Sequence, residues 1–365
     1  MGAMRPPSFF VAAVLVVSCG GSGALPAPLS NNQSDDPCDP GNGTTNTGST
    51  PPIDAGATPV SLPGGSAGIG FDDMRFSASL AQLLIPAGRT GNLDLVDPSS
   101  EETSPVGGFS AQAGYSGADT FGVTSADEGN GVVYATDRTS NTLAVVDGHQ
   151  KLILSSIKLA STPGYVRYAA PTSEVWVTEP DAKAIEVFTV AADGGAGLAH
   201  STSISVAGAE SLEIDPASGM AFTNGASSTV AIDVTRHSVS GTWPNGCTTS
   251  RGIAVDPGKG WVIVGCEEGR VVVLDERTGA MLGTVSTGGG VDQIAYDSRR
   301  VRLYVPAPAK SAMDILTIDP KGVPKVLGSV DTSADAHCAV TPGAGEVFVC
   351  VPSKGQLAFL FDPFP

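Results

Sequence analysis

The chain has 365 residues, including 46 glycines and 27 prolines, and only 16% of its residues are charged. Glycine and proline at this density predict many turns and little amphipathic helix. The formal net charge of −17 argues against nucleic-acid binding, because a phosphate backbone is bound by clustered Lys and Arg. It also argues against simple attraction to anionic lipid headgroups.

The first residues predict an export signal. An apolar run over 9–17 is too short to span a bilayer as a permanent helix. The segment Val16–Cys19 resembles a bacterial lipobox, which implies a signal peptide over 1–18 and acylation of Cys19. The alternative is an ordinary signal peptide with a coincidental cysteine. The resemblance implies a lipid-anchored protein of the bacterial envelope. Gly20 favours the outer membrane, on its periplasmic side or at the cell surface.

Residues 19–57 are rich in Gly, Ser, Thr, Asn and Pro. Such a segment buries too little apolar area to offset the entropy lost on ordering, so we predict a disordered tether. Cys38 lies within it. The sequence leaves open whether this cysteine is free or bridged to another chain.

Seven copies of one pattern fill the rest of the chain. In each copy two apolar strands flank a polar turn, as in VVYATDRTSNTLAVVD at 132–147. The residues that close the second strand stand at 97, 147, 189, 233, 275, 319 and 362. After a first interval of 50, the differences between these positions are 42 to 44. A fixed period of this length indicates an array of equal supersecondary units.

Each unit contains two further strands, one after the closing residue, as at 152–159, and one before the apolar pair, as at 251–257. Four antiparallel strands without a helix predict an all-β fold, a seven-bladed β-propeller of four-stranded blades over 58–365. The last unit lacks its outer strand, and Pro59–Leu62 has no blade of its own. We therefore predict that this N-terminal strand completes the C-terminal blade and removes a free sheet edge. A solenoid is the alternative.

The strand sequences VYAT, VWVT and LYVP, followed by AVVD or VVLD, resemble those of the YVTN-repeat β-propellers of bacterial envelope proteins. The resemblance covers about 58–362. It implies the fold but little about activity, because propellers host enzymes, electron-transfer partners and binding platforms.

Two disulfides are predicted in the domain. Cys338 and Cys350 flank a hairpin and stand directly opposite each other if its turn centres on Ala344. Cys247 and Cys266 flank the corresponding hairpin two blades earlier, less symmetrically. Opposite antiparallel positions bring Cβ atoms within disulfide range, and an exported protein meets oxidising conditions. Buried free thiols are the alternative.

The residues that precede the inner strands predict one ring at the mouth of the central channel. In chain order they are Asp72, Asp119, Gly164, Glu210, Arg251, Asp292 and Ala336. Carboxylates on such a ring suit a hard cation such as Ca²⁺. The metal candidates are therefore Asp72, Asp119, Glu210 and Asp292. The alternative is a solvated acidic rim on an acidic protein.

The same face should carry the loops between blades, including an insertion at 107–122 that stretches the first repeat. Long loops on a rigid scaffold are where binding usually occurs. The candidates for partner recognition are Tyr115, Trp243, Arg89, Arg138, Glu179, Glu267 and His337.

No residue pattern predicts catalysis. Gly64–Gly68 matches G-x-S-x-G, but β-type sequence flanks it on both sides, where a nucleophile elbow needs a helix after the serine. We therefore expect a non-catalytic, monomeric module that binds an envelope protein, a glycan or a cell-wall component and meets the membrane only through its lipid. The alternative is a propeller enzyme of lactonase or periplasmic dehydrogenase type with a carboxylate-bound divalent metal. No cofactor other than that Ca²⁺ ion is expected.

Overall fold

The computed structural model describes residues 54, 56–191 and 197–365. They form seven four-stranded antiparallel sheets that are the blades of a β-propeller, so the predicted fold is confirmed. The remaining regular structure in this part of the chain is three short 3₁₀ helices, at Gly65–Ala67, Pro308–Lys310 and Pro352–Lys354. A helix of sufficient length and apolarity to cross a membrane does not occur among these residues.

Blades 1 to 6 each take four consecutive strands, ordered from the channel outward. Blade 1 contains β2 (Arg75–Ser77), β3 (Gln82–Pro86), β4 (Thr90–Val96) and β5 (Thr103–Ala111). Blade 2 contains β6 (Val123–Gly129), β7 (Val132–Asp137), β8 (Thr142–Asp147) and β9 (Leu152–Lys158). Blade 3 contains β10 (Val166–Ala169), β11 (Glu174–Glu179), β12 (Ala184–Val190) and β13 (Leu198–Ser205).

The second half of the ring follows the same order. Blade 4 contains β14 (Leu212–Asp215), β15 (Met220–Asn224), β16 (Ser228–Asp233) and β17 (Ser238–Pro244). Blade 5 contains β18 (Ser250–Asp256), β19 (Trp261–Cys266), β20 (Arg270–Asp275) and β21 (Met281–Ser286). Blade 6 contains β22 (Ala295–Asp297), β23 (Arg302–Ala307), β24 (Ala312–Ile318) and β25 (Pro324–Asp331). Blade 7 contains β26 (Ala339–Gly343), β27 (Glu346–Val351), β28 (Gln356–Phe361) and, from the N-terminal side, β1 (Thr58–Ser61).

The middle strands are apolar on both faces because each blade is covered by two neighbours. In β7, Val133 packs in the cluster shared with blade 1, whereas the adjacent Tyr134 packs in the cluster shared with blade 3. Successive side chains of a strand point to opposite faces, so a doubly covered strand reads as a continuous apolar run. Seven such clusters occupy the seven interfaces between neighbouring blades.

The N-terminal strand closes the ring as predicted. β1 pairs with β28 in an antiparallel register that sets Thr58 opposite Phe359 and Ser61 opposite Gln356. Val60 is 3% exposed and packs in the cluster between blades 7 and 1. The hydrogen-bonded strand begins one residue before the predicted Pro59, and Leu62 follows it as a buried apolar residue.

The G-x-S-x-G segment belongs to this closure. Its 3₁₀ turn lies against the β27–β28 connection so closely that a Cβ on Gly65 would stand 2.0 Å from the carbonyl oxygen of Gly355. The backbone amide of Ile69 donates to the carbonyl of Pro352 at 2.9 Å. The two ends of the propeller therefore meet through backbone that only glycine permits.

Both predicted disulfides are present, Cys247–Cys266 and Cys338–Cys350. The second pair stands directly opposite across β26 and β27, with its Cα atoms 5.6 Å apart. One expectation is corrected: the first five residues of the segment 107–122 continue β5, and only 112–122 form a loop. The register between β4 and β5 shifts between Thr90 and Asn92, so that Ala111 of β5 stands opposite Thr90. This irregularity accommodates the additional residues of β5.

Candidate functional site

A cavity of about 520 Å³ opens at the mouth of the central channel. Its wall comes from the segments that precede the inner strands and from the turns between second and third strands. Its charged lining residues are Asp72, Asp119, Arg138, Glu210, Arg251, Glu267, Asp292, Asp335 and His337, and two tyrosines, Tyr115 and Tyr165, add aromatic surface. Six carboxylates against two arginines and one histidine make the cavity acidic.

The ring predicted from the repeat alignment lies at this cavity. Six of its seven positions line the wall, namely Asp72, Asp119, Gly164, Glu210, Arg251 and Asp292. The seventh, Ala336, is completely buried, and the adjacent His337 reaches the cavity in its place. The sequence period therefore identified positions that lie at one cavity, to within one residue in every blade.

None of the four carboxylates on this ring, those of Asp72, Asp119, Glu210 and Asp292, accepts a hydrogen bond from the described residues. The nearest ion partner of Asp72 is the Arg138 guanidinium at 3.6 Å. Burial, followed by the charges of Asp292 and Asp119, raises the pKa of Asp72 well above its ordinary value. Burial also raises the pKa of Asp292, and the charge of His337 opposes that rise. Asp72, Asp119 and Asp292 thus repel each other in a partly dehydrated site.

His337 is held by backbone on both sides of its ring. Its Nδ1 lies 2.9 Å from the carbonyl oxygen of Asp335, and its Nε2 lies 2.9 Å from the carbonyl oxygen of Phe71. Carbonyl oxygens only accept, so both contacts are satisfied only by the doubly protonated imidazolium. Burial lowers the pKa of His337, but Asp292, these two carbonyls and Asp119 outweigh it and the net shift is upward. His337 is therefore a fixed cation beside the carboxylates.

The outer rim of the cavity is charge-compensated. Arg251 lies 3.0 Å from a carboxylate oxygen of Glu267 and 3.5 Å from one of Glu210. Glu210 was predicted as a metal ligand together with the other three acidic ring residues, but its carboxylate is engaged in the ion pair with Arg251. Asp72 likewise has an ion partner in Arg138, so among the described residues the ring carboxylates without an ion pair within 4.0 Å are Asp119 and Asp292.

A metal site is only partly assembled. Ligand atoms of Asp119, Asp292 and His337 lie within 4.8 Å of one another. An imidazolium whose two nitrogens both donate has no lone pair for a metal ion. The oxygen donors predicted for Ca²⁺ are thus brought together at Asp119 and Asp292, while the only nitrogen in this trio faces backbone carbonyls.

A buried polar network centred on Asp73 and Arg167 connects the inner segments of several blades, although the Arg167 Nε has no hydrogen-bond partner among the described residues. Arg167 is bidentate to Asp73 at 2.6 and 2.9 Å, and both residues are buried. Ser125 donates to the same carboxylate at 2.5 Å, and the Gln293 amide donates to it at 3.0 Å. Arg167 also reaches Glu213 at 3.2 Å. This network joins blades 1, 2, 3, 4 and 6, and its residues Arg167, Glu213 and Gln293 line a second cavity of about 220 Å³.

Two of the predicted recognition residues are buried instead of exposed. Arg89 is 7% exposed and donates to the carbonyls of Gly68 and Gly64 at 2.6 and 2.8 Å, so it holds the loop that follows β1. Glu179 is 1% exposed and accepts from the backbone amide of Ser161 at 2.8 Å. Burial raises the pKa of Glu179 to about 7. Both expectations fail because these side chains satisfy nearby backbone rather than face solvent.

Trp243 is also away from the mouth. It lies on β17, and its ring packs at 6.0 Å from the Phe222 ring in the interface between blades 4 and 5. Of the seven predicted recognition residues, those that line the cavity are Tyr115, Arg138, Glu267 and His337.

Several lining residues were not predicted, among them Tyr165, Ser211 and Asp335. Tyr165 is 8% exposed, Ser211 is 2% exposed, and Asp335 accepts a hydrogen bond from the backbone of Ser353. Tyr165 and Ser211 each follow a ring position, and Asp335 precedes one. The repeat alignment therefore contained a signal for them, since the neighbours of a ring position also reach the mouth.

The N-terminal predictions, namely the signal peptide over 1–18, the acylated Cys19 and Cys38 in the tether, lie outside the described residues. They remain predictions.

No family model matches the chain, and no curated protein matches it. Among solved structures it is similar to a chain described as part of a mitotic checkpoint complex, with a TM-score of 0.67, 13% identity and coverage of 93% of this chain and 99% of that one. It is similar to a chain of Kuenenia stuttgartiensis hydrazine synthase, with a TM-score of 0.66 and 14% identity over 84% of this chain and 98% of that one. It is also similar to U3-55K, with a TM-score of 0.68 and 8% identity over 85% of this chain and 99% of that one. At these identities the likeness shows the propeller fold alone.

Proposed function

We propose that this protein is a non-catalytic binding module of the bacterial envelope that holds a protein partner at the mouth of its propeller. The observation that carries the proposal is the acidic cavity, where Asp72, Asp119 and Asp292 accept no hydrogen bond from the described residues. Buried polar groups in stable folds are normally satisfied, so unsatisfied acceptors at an open mouth favour an external donor. A protein partner is supported by the similar chain from a mitotic checkpoint complex, which is a protein assembly.

The envelope location is part of this proposal. It rests on the lipobox-like segment that ends at Cys19 and on the two disulfides, because disulfides persist in oxidising compartments. A Cys19→Ser variant should lose incorporation of an alkyne fatty acid and move from the membrane to the soluble fraction of cells. Labelling that persists in this variant would contradict the anchor.

An enzyme with a mouth metal is the second candidate. The approach of Asp119, Asp292 and His337 within 4.8 Å favours it. The double backbone contact of the His337 ring speaks against it, and the metal would have to rely on carboxylate oxygens alone. The binding module therefore accounts for more of the geometry.

Site-specific photo-crosslinking in cells tests the binding module. A photoreactive residue at Glu267, on the exposed rim of the cavity, should capture a protein that mass spectrometry identifies. The matched control is the same residue at Leu154, which is 42% exposed on the outer strand of blade 2. Equal capture at both positions, or capture at Leu154 alone, would show that the mouth is not the recognition face.

A further inference from the structure

The carboxylates of the mouth outnumber the cations that compensate them. Arg251 serves Glu210 and Glu267, Arg138 faces Asp72, and His337 lies beside Asp292. In the part of the chain that the structure describes, Asp119 has no ion pair and no hydrogen-bond donor. An additional positive charge at this point would therefore relieve repulsion among three acidic groups.

A second observation at the same cavity concerns Ser211. The residue lines the cavity and is 2% exposed, and its buried Oγ has no hydrogen-bond partner in the described structure. A buried hydroxyl without a partner costs free energy, which an incoming N–H donor would recover. This neutral acceptor is independent of the acidic cluster and also calls for a donor.

The dimensions of the cavity favour an organic cation over a bare ion. About 520 Å³ is far more than one ion occupies. The tyrosine rings of Tyr115 and Tyr165 line the same wall, and apolar stems of long basic side chains pack well on such surface. The cavity therefore has room for a charged head and a hydrocarbon stem together.

We infer that the cavity receives a lysine side chain of the proposed protein partner, with its ammonium group among Asp72, Asp119 and Asp292. This inference rests on the proposed function. An ammonium group carries three N–H donors, which matches three carboxylates that have none. These acceptors precede the inner strands of blades 1, 2 and 6 and line one cavity, where oxygens of Asp119 and Asp292 lie within 4.8 Å of each other. Separate carboxylates suit the diverging donors of an ammonium better than the planar fork of arginine.

Titration of the purified full chain with two peptides tests this inference. The probe is an acetylated and amidated Gly-Gly-Lys-Gly-Gly, and its control carries Nε-acetyl-lysine instead. NMR titration at low ionic strength and pH 7.5 should show saturable binding of the lysine peptide. Binding of the control should be weaker by at least about tenfold, because charge-assisted hydrogen bonds are lost. Equal affinity for both peptides would overturn the inference without any variant.

A double variant locates the binding. Asp119→Asn with Asp292→Asn keeps side-chain shape and should weaken lysine-peptide binding by at least about tenfold. The matched control, Glu102→Gln with Asp331→Asn, removes the same charge from exposed positions that do not line the cavity and should bind as the parent does. Unchanged binding in the mouth variant would contradict the assignment, as would stoichiometric Ca²⁺ binding by the parent that this variant loses.

The two proposals fail separately. A partner captured through Glu267 with the same yield in the Asp119→Asn, Asp292→Asn variant would keep the binding module and overturn the lysine contact. Lysine-peptide binding without any captured partner would support the chemistry of the cavity and contradict the proposed partner protein.

Discussion

Asp72 and Asp73 are adjacent in the chain and differ completely in their surroundings. Asp73 is fully buried and accepts hydrogen bonds from Arg167, Ser125 and Gln293. Asp72 is 8% exposed and accepts none from the described residues. Adjacent residues at a strand start point to opposite sides, so one carboxylate enters the buried network and the other the mouth cavity.

The difference between Asp73 and Asp72 distinguishes a carboxylate that stabilises the fold from one that is available to a partner. A buried charge is stable only when it is paired and hydrogen-bonded, a condition that Asp73 meets entirely within the chain. The mouth carboxylates are left for a donor from outside. The hydrogen bonds that each carboxylate accepts, rather than burial or residue type, therefore distinguish Asp73 from Asp72.

Substitution of Asp73 and of Asp72 by asparagine tests this difference most directly. Asp73→Asn should lower the free energy of unfolding by about 3 kcal/mol, because it removes the bidentate counter-ion of buried Arg167 and leaves only Glu213 to compensate its charge. Asp72→Asn should change it by less than about 0.5 kcal/mol or stabilise slightly, because it removes repulsion. Urea unfolding at pH 7.5 measures both. Similar losses in the two variants would show that Asp73 and Asp72 are not energetically distinct.

Asp94 is a third buried carboxylate and differs from both Asp72 and Asp73. It has no hydrogen-bond partner among the described residues, and it does not line the mouth cavity. It is 0% exposed on β4, both of its oxygens lack hydrogen bonds, and it stands opposite Ile85. Ile85 and Val96, on the same face, pack in the cluster between blades 7 and 1. Burial raises the pKa of Asp94 from 3.8 to about 7.

The pH dependence of unfolding tests this residue. The folded state holds the Asp94 proton more tightly than the unfolded state, so stability should fall as pH rises from about 4 to about 7 and then level off. Asp94→Asn should reduce that fall, with the part due to Glu179 remaining, and should be more stable than the parent at pH 8 by at most about 4 kcal/mol, the equivalent of about three pKa units. The two proteins should unfold alike at pH 4. A parent that is equally stable at pH 5 and pH 8 would contradict the assignment.

The smallest expected effect is a titration shift at the mouth. Asp292 is the foremost cause that raises the pKa of His337, so Asp292→Asn should lower that pKa. NMR titration of the imidazole protons measures it, and His149, His200 and His237 serve as internal controls within the same sample. A pKa of His337 that stays constant or rises would show that the two residues are not coupled as described.

The repeat pattern predicted much of the fold and the location of the site, but little of its chemistry. The period of 42 to 44 residues placed six ring positions at one cavity. The same reasoning treated Arg89 and Glu179 as exposed, because loop position alone does not reveal that a side chain turns back onto backbone.

By itself, the sequence determined the seven blades, the closing strand and the disulfide pairs, since each follows from local periodicity and from the turns that repeat with it. Only the tertiary structure decided which charges are satisfied. The partners of Asp73 lie 94 and 220 residues away at Arg167 and Gln293, and the His337 ring meets the Phe71 carbonyl 266 residues away. Hydrogen bonds over such separations exist only once the ring has closed, and no local pattern encodes them.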